Sequence, residues 1–147
     1  MIHGEFIRNS KNINQGIEAA DSESDIMLLD ADEVLLPNSL FWLRMGLYED
    51  EHTGAAESQL HEQFLPENII SINNFCEFKF YLEKPAILVR REVINEIGLL
   101  DTEFTWDRLY MQIKDFSLRV CSAGWKNISC HNSFIYHSEN EEYLDVP

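Results

Sequence analysis

Two short, unbroken apolar runs, Ile26–Leu29 and Ala86–Val89, constrain this chain more than any other feature. Each is too short for a helix and offers no polar residue to water, so each reads as a buried strand. A turn and a helical pattern follow both. After the first run, Pro37 suits a first helical turn, and Leu40, Leu43, Met45 and Leu47 carry an apolar face to about Tyr48. After the second, RREVINEIG runs to Gly98, a residue able to take the positive φ with which helices often end. Two further helices are predicted, Asn12–Ala20, with Ile13 and Ile17 four apart, and Lys114–Ala123, stopped by Gly124. Trp125–Cys130 and Phe134–His137 read as closing strands, and Gly54–Ser58 as a weak strand in a polar stretch, Glu49–Glu67, that otherwise reads as a long mobile loop. Strands alternating with helices predict one α/β domain with a mixed, mostly parallel, Rossmann-like sheet. Such sheets bind ligands beyond the carboxyl ends of their strands.

Composition narrows the function classes. With 147 residues, 45% of them apolar and including nine Phe and three Trp, the chain has material for a full core. Its net charge of −15, from 26 acidic against 11 basic residues, disfavours nucleic acid and anionic membrane surfaces, so an anionic nucleotide would need a metal bridge. No apolar run approaches the length of a membrane span, and MIHGEFIRNSK lacks a signal peptide's apolar core. Cys76, Cys121 and Cys130 are odd in number and form no Cys-x-x-Cys pair, which argues against a disulfide framework and a structural zinc site and fits a reducing cytoplasm.

The chemistry-bearing feature is MLLDADEVLLP, where Asp30 and Asp32 follow the first apolar run as it emerges into solvent. Carboxylate oxygens there suit a hard divalent cation, Mg²⁺ or Mn²⁺, though two solvated carboxylates, one of them capping the next helix, would leave the same pattern. His137 closes a similar apolar run, NSFIYH, where a neutral imidazole suits a metal or a phosphate. His3, His52, His61 and His131 have no partner at ligand spacing and read as surface or core residues. The chain has no nucleophile elbow, phosphate-binding glycine loop, H-E-x-x-H pair or EF-hand loop.

Five blocks in order, NINQGI, IMLLDADEVLLPNSL, AILVRREVINEIGLLDTEF, KDFSLRVCSAGWK and FIYH, together resemble the family 2 glycosyltransferases of the GT-A fold. The resemblance implies that Asp30 and Asp32 form an Asp-x-Asp motif holding a divalent metal and the ribose-diphosphate side of a nucleotide sugar. It implies that Asn14 and Gly16 match an Asn-x-Gly near the nucleotide, and that Asp101, Glu103 and Phe104 match a segment leading toward the acceptor. His137 then matches a histidine near the metal and diphosphate. The implied reaction is inverting transfer of a sugar to a saccharide or lipid-linked acceptor, as in bacterial-type polysaccharide synthesis.

Two departures from the pattern stand out. The family's Glu-Asp pair, whose Asp is the general base, falls on Gln112 and Ile113 when the register is anchored on Arg119 and Gly124, and neither side chain is a base. A slip of two residues makes Asp115 the candidate base, with Lys114 in place of the glutamate; a first-turn carboxylate favoured by the helix dipole is its plainer role. The resemblance also covers only the last two thirds of a family domain, without the N-terminal nucleotide-binding strands. A partial domain of this kind predicts an exposed sheet edge and strand pairing between two copies in a homodimer. Two rival readings follow: a catalytically inactive interaction module, and a metal-dependent nucleotidyl or phosphoryl transferase, for which the chain lacks a basic phosphate cradle.

Overall fold

A computed structural model describes residues 10–61, 75–83, 86–103 and 109–137, with the side chains of residues 10, 61, 109, 110 and 137 outside the description. The elements run α1 (Ser10–Ala19), β1 (Ile26–Leu28), β2 (Glu33–Leu35), α2 (Ser39–Glu49), β3 (Thr53–His61), β4 (Cys76–Lys79), β5 (Ile87–Val89), α3 (Arg91–Ile97), α4 (Leu109–Ser122) and β6 (Lys126–His137). The six strands form one sheet in the order β1-β5-β3-β6-β2, with β4 also pairing to β6.

The expected mostly parallel, Rossmann-like sheet is not what forms. Of the strand pairings, only β3 with β6 is parallel, while β1 with β5, β5 with β3, β2 with β6 and β4 with β6 are antiparallel. The sheet is therefore mostly antiparallel, and it is curled into a half-barrel. The reason is β2 and β4, three and four residues long, which each reverse the chain between elements that the sequence pattern joins directly. The pattern also splits β6 in two at the buried polar Asn132 and Ser133, and it ends β3 at Ser58, before the half-buried Gln59 and the exposed Leu60.

Curling follows from chain reach. In a flat sheet β1 and β2 would stand four strand spacings apart, roughly 19 Å. The five steps from Leu28 to Glu33 span at most ~18 Å when fully extended. They are not extended, because the Glu33 N–H donates to the Asp30 carbonyl at 3.1 Å. The two edge strands must bend toward each other, and the Asp30–Asp32 connection is the strap that joins them.

Both faces of the sheet are covered. Ile87 and Val89 of β5 and Ala55 of β3 pack with Ile17 of α1, Val93 of α3 and Ile113, Phe116 and Val120 of α4. One residue out of phase, Leu88 and Ala56 pack with Leu43 and Leu47 of α2, joined by Ile128 and Cys130. This alternation fixes the register, since a slip of one residue would exchange the two cores. Gly98 (φ 85°) and Gly124 (φ 95°) both take positive φ at helix ends, as predicted from their positions.

Two arginines lock the helices to the sheet. The Arg91 N–H is capped by Asp25 Oδ1 at 2.9 Å, and its guanidinium reaches the carbonyls of Ser24 and Asp21. Asp25 also accepts from the Tyr48 hydroxyl, whose ring lies 4.2 Å from the Arg90 guanidinium carbon. Burial and the Asp25 hydrogen bond push the Tyr48 phenol up to about 12 from its ordinary 10.0. A folded-state value above the unfolded one contributes stability that is complete below the unfolded value and is lost as pH rises through the folded one. Wild type should therefore lose stability between pH about 10 and about 12. Tyr48→Phe should lose measurably less over that range in a denaturant titration series, and equal losses would contradict the assignment.

Candidate functional site

The acidic turn is built by the strap. Glu33, the first residue of β2, is 6% exposed, and its Oε2 accepts the Asp30 N–H at 3.0 Å. Together with the Glu33 N–H to Asp30 carbonyl bond, this closes a tight loop that presents residues 30–32. Asp30 and Asp32 are both partly buried, and Asp32 Oδ1 is buried. Across the ladder Glu33 pairs in register with His137, so the backbone brings His137 to the same rim as the acidic turn. Glu33 is absent from the sequence-based site; its signal was its place directly after Asp32, at the start of a strand too short to recognise.

Asn14, Asp101, Glu103 and Asp115 belong to a second grouping. Asn14 is 8% exposed, and its amide clamps the Leu100 backbone, with Nδ2 donating to the carbonyl at 2.8 Å and Oδ1 accepting from the N–H at 3.0 Å. Asp101 follows directly, exposed, with Oδ1 accepting the Glu103 N–H at 2.9 Å. Arg119 of α4 donates to the carbonyls of Ile97 and Leu99 and holds Asp115 Oδ2 at 3.2 Å. Three helices thus meet the segment from Ile97 to Glu103. Gly16 is exposed on α1 with open space where a Cβ would stand. Phe104 lies outside the described residues.

The clamp makes a direct prediction. Asn14→Ala leaves the buried Leu100 N–H and carbonyl without these partners and should cost ~2 kcal/mol of stability. Chemical denaturation measures it, and a loss within error of zero would mean that water replaces the amide.

The candidate base positions are less open. Gln112 and Ile113 are 1% and 2% exposed, on the α4 face turned to the core. Asp115 is a third exposed and ion-paired to Arg119 one turn along. Elsewhere His131 pairs with Glu77 at 3.0 Å and exposed His52 with Asp50 at 3.3 Å. Lys126 also holds Asp50, at 2.7 Å. That hydrogen bond is the main cause of an Asp50 carboxyl lowered to about 2 from its ordinary 3.8.

A divalent cation can be tested against these donors. Among the described residues, no three His, Cys, Asp or Glu side chains gather into a metal-holding group. Two carboxylates on one turn fit the other mode of hard cations, in which one or two carboxylates hold the ion and phosphate oxygens and water complete its shell. The described residues also form an apolar groove of about 780 Å³ along α2, lined by Leu40, Phe41, Arg44, Met45, Tyr48 and Phe75 among others. It includes none of the predicted site residues. No helix among the described residues is long and apolar enough to cross a membrane. No protein-family model matches the chain, and no curated protein matches it in sequence.

Proposed function

We propose that this chain binds a nucleoside diphosphate sugar through a divalent cation held at Asp30 and Asp32, as the donor-binding part of a glycosyltransferase. The observation that carries the reading is the acidic turn itself: a strap between two sheet edges, closed by Glu33, that offers two carboxylates beside the rim position of His137. In a chain of net charge −15, a diphosphate is repelled unless a cation bridges it, and two carboxylates on one turn are the ligand type that hard cations take, which supports the reading. When bound, the cation would neutralise the diphosphate that departs as the glycosidic bond breaks. The protein's own part is to hold Asp30 and Asp32 in one turn and to position the segment from Leu100 to Glu103 through Asn14 and Arg119.

Calorimetric titration with Mn²⁺ and a panel of nucleoside diphosphates tests this. The expected result is binding that requires the metal and disappears in the Asp30→Asn, Asp32→Asn double variant. Binding by neither protein would sink the proposal. A second reading, a metal and nucleotide-binding module without turnover, is favoured by the burial of Gln112 and Ile113 and the Asp115–Arg119 ion pair. Release of nucleoside diphosphate from a nucleotide sugar in the presence of acceptor saccharides separates the two. The module predicts binding without release.

A further inference from the structure

The geometry points to Cys76 and Cys130 as a reversible, redox-active disulfide pair that staples β4 to β6. The two residues stand directly opposite in the antiparallel ladder, with their sulfurs 3.9 Å apart and both thiols free. The neighbouring pair carries a ladder bond, from the His131 N–H to the Phe75 carbonyl. Ladder bonds alternate along antiparallel strands, so Cys76 and Cys130 occupy the non-hydrogen-bonded position, where opposed Cα atoms lie about 4.5 Å apart. That is at the short end of the ~4.4–6.8 Å range that a disulfide spans. Bridging them needs side-chain rotation rather than strand movement.

The surroundings divide the roles. Cys130 is fully buried, while Cys76 is partly exposed. The hydrogen bond between them holds the Cys76 thiol below its usual range and pushes the Cys130 thiol above it. Residue 46 of the overlying α2 is glycine, and a Cβ there would stand 2.6 Å from the Cys130 sulfur and 2.8 Å from that of Cys76. The missing side chain leaves the helix seated directly over both sulfurs. Cys76 is the attacking thiol and Cys130 the resolving one. The Cys76 thiolate attacks a small-molecule disulfide, forming a mixed disulfide and expelling one thiolate, which takes up a proton. Cys130 then loses its proton and attacks the Cys76 sulfur, expelling the second thiol. Two protein thiols are oxidised and one small-molecule disulfide is reduced to two thiols.

Folded wild-type protein is equilibrated with glutathione and glutathione disulfide at graded ratios, quenched with acid and mapped by mass spectrometry, with free thiols counted in parallel. The expected result is a fall from three free thiols to one, leaving Cys121, with a Cys76–Cys130 peptide that reverts on reduction. Cys130→Ser should stop at a glutathione adduct on Cys76. Three persistent thiols at every ratio, a bridge involving Cys121, or a stable wild-type adduct that never resolves would each overturn the assignment.

Discussion

Replacing Arg90 by Leu should cost ~3 kcal/mol of folding stability and lower Tm by ~10 °C. Arg90 is only 8% exposed, and its guanidinium serves three backbone carbonyls, Thr53 at 2.6 Å, Leu47 at 2.8 Å and Asp50 at 3.0 Å. Two of those carbonyls belong to the last turn of α2 and its C-terminal cap, groups that no helical N–H satisfies. The side chain therefore ties the end of α2, the start of β3 and the start of α3 at one point. Its partner Glu92, at 3.2 Å, is 59% exposed, so the ion pair itself contributes little. Glu92→Gln should accordingly change stability by less than ~0.5 kcal/mol. Arg90→Lys keeps the charge but not the fork of donors, and should fall closer to the Leu variant than to wild type. Urea unfolding with an unchanged m-value measures all three. Equal losses for Glu92→Gln and Arg90→Leu would show that charge pairing, not carbonyl capping, carries the effect.

Nothing local in the sequence marks Arg90 as buried. It stands at a helix start, where a cation opposes the macrodipole and reads as a solvated residue. The carbonyls that hold it come from residues 47, 50 and 53, some forty positions away. The same limit explains which strands were legible. β5 is a run of three buried apolar residues, and glycines with positive φ follow both α3 and α4, so that half of the chain could be read directly. β6 was legible only as two pieces, because the residues that join them include Asn132 and Ser133, polar side chains only 5% and 0% exposed. Several buried polar groups of the strand find partners on other elements: Asn127 Nδ2 donates to the Ser117 carbonyl, Ser133 Oγ to the Ser39 carbonyl, and Ser58 meets Ser133 at 2.8 Å. Hydrophobic patterning has no means of recognising a buried serine whose partner is 75 residues away.

In the candidate site the legible part was the pair of aspartates, and the illegible part was what shapes them. Glu33 belongs to the second class, and removing it should weaken the proposed metal-dependent nucleotide binding by roughly tenfold to a hundredfold, the range typical of residues that orient metal ligands. Its Oε2 accepts the Asp30 N–H and its own N–H donates to the Asp30 carbonyl, so the turn presenting Asp30 and Asp32 is closed from both sides by this one residue. Glu33→Ala keeps the backbone bond and loses the side-chain bond, which frees Asp30 from its fixed orientation. Glu33→Gln retains an acceptor oxygen and should recover most of the affinity. Titration of both variants with Mn²⁺ and the nucleoside diphosphate that binds wild type best separates orientation from charge: if the Gln variant is as weak as the Ala variant, the carboxylate's charge matters at the site, and if the Ala variant binds like wild type, the strap needs no brace. The position of Glu33 opposite His137 makes the expected loss a property of the rim, since the residue that braces the turn is also the one that pairs this edge strand to β6.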